Sequence, residues 1–146
     1  MQRKILMAAG ILGALAVVLG AFGAHALRDQ LPPEKLVSYH TGVTYQFYHT
    51  LALLGVGLWL GTNASKRLYR AAWCFIIGII CFSGSIYLLS TCEDIYFLDD
   101  VLELDDRKYL LGPITPIGGV FFIVGWGMLF WEAKSIGVNK KEDLEH

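Results

Sequence analysis

The residues best suited to chemistry in this sequence are polar side chains set among apolar ones: His25, Tyr45, Gln46, His49, Ser85, Tyr87 and Thr115. The stretch "TYQFYHT", Thr44 to Thr50, holds Tyr45, Gln46 and His49 close together. An imidazole changes charge near neutral pH, and amide, hydroxyl and phenol groups can hold a lipid headgroup, a quinone-like molecule or a small solute. The same groups can instead satisfy one another, making a hydrogen-bonded clasp between helices with no ligand. Both readings stand on the residues alone. Other chemistries lack their residues. Cys74, Cys81 and Cys92 form no Cys-x-x-Cys and read as small packing residues. No His-x-x-x-His or nucleophile triad occurs, and His25 with His49 is the only pair within the helices that could face across a haem. We therefore assign no catalytic residue, metal-ligand set or cofactor, and expect a protein that is not an enzyme.

What positions these side chains is a chain too apolar for an ordinary soluble globule: 55% hydrophobic residues, 16 glycines in 146 residues and a mean hydropathy of +0.50. Asp, Glu, Lys and Arg are absent from Ile5–Ala24, Val43–Ser65, Ala71–Cys92 and Tyr109–Trp131. Each stretch is long enough to cross about 30 Å of hydrocarbon as a helix. The fold class is therefore all-α, a four-helix transmembrane bundle with helices over about 5–27, 42–63, 71–92 and 112–132. The first stretch is not read as a signal peptide. Arg3 and Lys4 precede it and "AHA" at Ala24–Ala26 imitates a cleavage site, but the apolar run exceeds the roughly 7–15 residues of a signal h-region. Leu144-Glu145-His146 reads as a tag remnant.

A net charge of −1 gives no reason to expect nucleic acid, yet the charges are unevenly placed. Arg3 and Lys4, then Lys66, Arg67 and Arg70, then Lys134, Lys140 and Lys141 flank one set of helix ends, against Arg28, Lys35, Arg107 and Lys108 at the other. The positive-inside bias puts both termini in the cytoplasm. Trp59, Trp73 and Trp131 then lie near the inner interface, and Tyr45, Tyr48, Tyr87 and Tyr109 near the outer one.

In helix one Ile11, Leu12, Leu15, Val18, Leu19 and Phe22 share one side, and small residues from Gly10 to Ala24 share the other, which suggests a central helix packed on its small face. "LPPE" at Leu31–Glu34 stops one helix and starts the next, with Pro33 to Thr41 lying along the outer interface before Gly42 turns the chain inward. Gly42, Gln46, His49, Leu53, Gly57 and Leu60 share a face of helix two; Cys74, Gly78, Cys81, Ser85 and Cys92 share one of helix three. Ser83 points the other way and bonds to a carbonyl of its own helix. In "GPITP" Thr115 is the expected N-cap and Pro116 the first helical residue of helix four. Gly118 and Gly125 lie on one face, Gly119 and Gly127 on another, which suggests a homo-oligomer. The acidic outer loop 93–108 reads as an amphipathic segment and lacks the ligand order of an EF-hand. This topology brings all seven polar residues to the outer half of the bundle, with His49 and Ser85 at comparable depth.

"GAFGAHALRD" (Gly20–Asp29), "TGVTYQFYHTLALL" (Thr41–Leu54), "FSGSIYLL" (Phe82–Leu89) and "LGPITPIGG" (Leu111–Gly119) together resemble the small bacterial membrane proteins grouped as domain of unknown function 423, whose animal relatives are called transmembrane protein 256. The resemblance runs over nearly the whole chain in order. It implies a four-helix protein of a bacterial inner membrane and supplies no reaction. Its motifs fall on His25, Gln46, His49, Ser83, Ser85, Tyr87, Thr115 and Pro116, overlapping the cluster that spacing predicts. The acidic Glu93–Asp106 segment is longer than the family's short outer connection. The residues favour a non-enzymatic structural or ligand-binding module, with membrane lipids and a second copy as partners. An oligomeric channel or transporter is the alternative, disfavoured because Leu53–Leu60 and Ala71–Ile80 are apolar.

Overall fold

The computed structural model describes residues 1–91 and 112–142, the last seven of them by backbone alone. Residues 93–108, expected to form an acidic outer loop, Cys92, Tyr109 and residues 144–146, expected to be a tag remnant, lie outside the described residues. All regular structure described is helical: α1 (Gln2–His25), α2 (Pro33–Thr62), α3 (Lys66–Gly78), a π-helical segment (Ile79–Ser83), α4 (Gly84–Thr91) and α5 (Ile114–Glu142). α3, the π segment and α4 form one rod. Among the described residues Gln2–His25, Lys66–Thr91 and Ile114–Ser135 are long and apolar enough to cross a membrane. α2 is the exception, because Gln46, His49 and the tyrosines beside them lower its hydropathy.

α2 hides that polarity by occupying the middle of the bundle. It packs on α1 along its whole length and also on α3, the π segment and α4, whereas α1 packs almost wholly on α2. The expectation that helix one is central is thus corrected: α1 meets one neighbour. Only part of its small side does so, because Gly13, Gly20 and Gly23 face α2 while Leu12 and Leu19 also pack inward and Gly10, Ala14 and Ala21 are exposed. Ile11, Leu15, Val18 and Phe22 are exposed on the opposite side, as expected of a lipid-facing surface. The pairing is antiparallel and keeps its register from end to end, with Gly61 on Gln2, Gly57 on Leu6, Gly13 on Thr50, Gly20 on Val43 and Gly23 on Tyr39. At Gly57 an added Cβ would stand 2.6 Å from Leu6 Cδ2, so the missing side chain there makes room for the Leu6 side chain of α1.

α5 pairs with the α3–α4 rod in the same manner. Gly125 faces Phe75, Gly78 faces Phe122 and Gly118 faces the backbone of Phe82, so the Gly118/Gly125 face turns inward. The other glycine face turns out: nothing stands within 4 Å of a Cβ added at Gly127. Between the two helix pairs lies an apolar core of Ile5, Ala9, Leu53, Val56, Leu68, Ala72, Phe75, Ile79 and Phe122.

Local signals explain the ends. Pro33 occupies the first turn of α2 with Glu34 beside it, where a fixed φ and a negative charge suit a helix start. The segment expected along the interface, 33–41, is instead the beginning of α2, and Gly42 sits in mid-helix against Tyr87. Glycine there serves contact with a ring, not a turn. The corner before α2 is pinned by Leu27 and Leu31, which pack with Tyr39 and Val43. α3 starts earlier than a charge-free run predicts because Ser65 caps it, its hydroxyl accepting from the backbone N–H groups of Arg67 and Leu68. α5 starts at Ile114, so Thr115 is not its N-cap, and the Thr115 hydroxyl turns to another helix.

Candidate functional site: three polar clasps and a buried carboxylate

Gln46 is the centre of the outer cluster. It is 3% exposed, and its Nε2 donates to the Leu12 carbonyl of α1 at 2.8 Å while its Oε1 accepts from the Tyr87 hydroxyl of α4 at 2.8 Å. Both ends of one amide are therefore spent joining three helices. Tyr39, one α-helical face-repeat before Gln46, adds a second tie, its hydroxyl donating to the Leu19 carbonyl at 3.1 Å with its ring 5.0 Å from that of Tyr87. Continuing the Gly42–Gln46–His49 stripe one turn towards the N-terminus would have found it.

The other expected residues sort into separate groups. Ser85 and Thr115 share a hydrogen bond of 2.6 Å between α4 and α5, and the Ser85 hydroxyl also donates to the Phe82 carbonyl. His49 is buried, its Nδ1 2.8 Å from the Tyr45 carbonyl one turn back, so Nδ1 carries the proton that makes this bond. Its ring stacks on Phe122 with centroids 3.4 Å apart and planes 8° apart, and Tyr45 lies on another side at 5.8 Å. Tyr45 is 40% exposed and stacks on Phe82. His25 ends α1 and is exposed, with no side-chain hydrogen bond to the other six among the described residues. Among the described residues no side-chain hydrogen bond links the Gln46, His49 and Ser85 groups to one another. Packing holds them in one half of the bundle.

Ser83 departs from expectation. It is fully buried and its hydroxyl has no partner among the described residues, while Ser85 makes the back-bond to a carbonyl expected of Ser83. The physical reason is the π segment, whose i→i+5 turn changes the rotation per residue on which 3.6-residue spacing relies. Thr50 shows the same lack of a partner at Oγ1 and is 5% exposed. Thr50→Val, which keeps the shape and removes the unmatched hydroxyl, is expected to raise the unfolding free energy by about 1 kcal/mol. Thermal unfolding in a mild detergent checks it, and a loss of stability would show that Thr50 has a partner after all.

At the opposite end, Glu132 of α5 is 6% exposed. One carboxylate oxygen accepts from Asn63 Nδ2 at 3.0 Å and the other from Arg67 Nη1 at 3.1 Å. This clasp joins the α2–α3 corner to α5. Glu132 is not among the residues singled out from the sequence; yet it continues the seven-residue repeat of Gly118 and Gly125, the face that turns inward. Among the described residues no cluster of three or more His, Cys, Asp or Glu is placed to hold a metal, and Cys74 and Cys81 are free.

Comparison with known proteins gives one consistent answer. A family profile described as "Protein of unknown function (DUF423)" matches residues 19–119. The UPF0382 membrane protein SAB0533 of Staphylococcus aureus is 43% identical over 127 residues, covering 86% of this chain and 92% of that protein. The UPF0382 membrane protein YwdK of Bacillus subtilis is 40% identical, covering 86% and 93%. The UPF0382 inner membrane protein YgdD of Escherichia coli is 33% identical, covering 88% and 87%. No solved structure matches this chain.

Proposed function

We infer, from the premise that this chain belongs to the DUF423 family and is an integral membrane protein, that it works as a non-enzymatic structural module of the bacterial plasma membrane. Its polar side chains hold four membrane crossings in register. Gln46 carries the reading: a residue that spends its carbonyl on Tyr87 and its amide on Leu12 has little left to offer a ligand. Ser85 and Thr115 likewise use each other. The crossing of α2 is supported by its full-length register with α1, since a helix that follows a membrane-spanning partner from end to end traverses the same thickness. Four crossings leave both termini on one face, and Arg3, Lys4, Lys66, Arg67 and Arg70 favour the cytoplasmic one.

A ligand pocket and a channel remain the competing readings. Against a channel stands the apolar layer of Leu53, Val56, Leu68, Phe75 and Phe122. For assembly with a second copy, the exposed small side of α1, Gly10, Ala14 and Ala21, offers close approach of backbones. A monomer at every concentration in mild detergent would remove that part of the reading.

The clasp is tested by Gln46→Leu. Two interhelical hydrogen bonds in a membrane, each of order 1 kcal/mol, set an expected loss of about 1–2 kcal/mol in thermal unfolding. Small molecules retained through purification, identified by mass spectrometry, should be the same for variant and parent. Unchanged melting together with loss of a bound molecule would replace the clasp with a ligand site.

A further inference from the structure

Beside the Glu132 clasp, on the side facing away from the bundle, Arg67, Val124, Gly127, Met128 and Trp131 line a groove of about 460 Å³. Its walls are mostly hydrocarbon and its one charged residue is Arg67. The Arg67 side chain is 45% exposed, and Glu132 engages its guanidinium through Nη1; Nε and Nη2 make no protein bond among the described residues. The clasp therefore fixes the guanidinium by one nitrogen and leaves the others free to donate. Glu132 offsets the charge of Arg67 but does not take its remaining N–H groups, because its two oxygens are already engaged by Asn63 Nδ2 and Arg67 Nη1. Lys66 and Arg70 are exposed on the same stretch of α3 and add positive charge at this end. Trp131, 62% exposed, marks the depth at which indoles favour the headgroup region.

We propose that this groove binds one anionic phospholipid, with Arg67 taking the phosphate and the channel over Gly127 taking the first part of an acyl chain. The dimensions suit that division. From Trp131 back to Val124 the groove runs about 10 Å along α5, from headgroup depth into the hydrocarbon. A side chain at Gly127 would fill it, since nothing stands within 4 Å of a Cβ added there. Charge complementarity selects the lipid: a guanidinium pairs with phosphate oxygens through two parallel N–H bonds, and neighbouring cations favour an anionic headgroup over a zwitterionic one.

The experiment is native mass spectrometry of the full-length protein titrated with phosphatidylglycerol and, separately, with phosphatidylcholine of the same chains. The parent is expected to hold one phosphatidylglycerol about tenfold more tightly than phosphatidylcholine. Gly127→Leu should weaken both lipids alike and melt as the parent does; Arg67→Lys should keep part of the preference and Arg67→Gln lose it. Because Arg67→Gln also disturbs Glu132, Gly127→Leu carries the test if that variant fails to fold. Three results would overturn the proposal: no preference in the parent, lipid binding unchanged in Gly127→Leu, or glycerol phosphate displacing the lipid at equal concentration. A dimer that forms without lipid and is abolished by Gly127→Leu would also overturn it, assigning the groove to a second copy.

Discussion

Gly118→Leu is expected to separate α5 from the rest of the bundle. A Cβ at this position would collide with the backbone nitrogen of Phe82 and stand 2.8 Å from its Cα and Cβ, so the obstacle is main chain and cannot swing aside. Forcing extra atoms into a packed site costs about 1–3 kcal/mol when side chains can yield, and more when they cannot. Leucine's better helix propensity returns only about 1 kcal/mol. The steric term wins, and we expect a loss of about 3 kcal/mol or failure to accumulate folded protein. Gly127→Leu is the matched comparison, with the same chemical change on the same helix and open space in place of a backbone. Thermal unfolding and size-exclusion profiles in one detergent check the pair. Equal melting of the two variants would mean that α5 does not sit against the π segment as described.

The second large effect is at Arg67. Arg67→Met keeps an apolar stem and removes the donor, leaving the Glu132 carboxylate buried with Asn63 as its only partner among the described residues. Breaking a fully buried pair costs about 3–5 kcal/mol, but Arg67 is 45% exposed and solvent screens its share, so about 1–3 kcal/mol is expected. Changing Glu132→Met as well should recover most of that loss, because an apolar pair removes the stranded charge instead of trying to satisfy it. A double-variant cycle in thermal or denaturant unfolding measures the coupling. If the double variant is no more stable than Arg67→Met, an unpaired carboxylate is not the source of the cost.

Much of the site can be anticipated from spacing. Gly42, Gln46 and His49 share a helix face and do turn inward, and Ser85 and Thr115, 30 residues apart, do meet. The apolar spans can likewise be read directly, whereas the sides of α1 cannot, since Leu12 and Leu19 pack inward and Gly10, Ala14 and Ala21 are exposed. For Glu132 the repeat with Gly118 and Gly125 gives the inward face but not the partners, because Asn63 and Arg67 arrive from another part of the chain. Ser83 was misjudged because one π turn breaks the periodicity on which facing was judged.

What the sequence determined by itself is the solvent and the class of element. Long runs without charge require lipid around them, and lipid requires helices, since each residue's backbone must find its bonds within its own segment. What only the tertiary structure decided is which helix lies inside and which polar groups answer one another. α2, the one long helix among the described residues not apolar enough by itself to count as a membrane span, became the centre because its polar stripe is tolerable only against other helices. Gln46 became a joint of three helices because Leu12 and Tyr87 reach it from distant parts of the chain. Such pairings depend on the register between helices, which is set by where glycines let backbones touch and is not a property of any one segment.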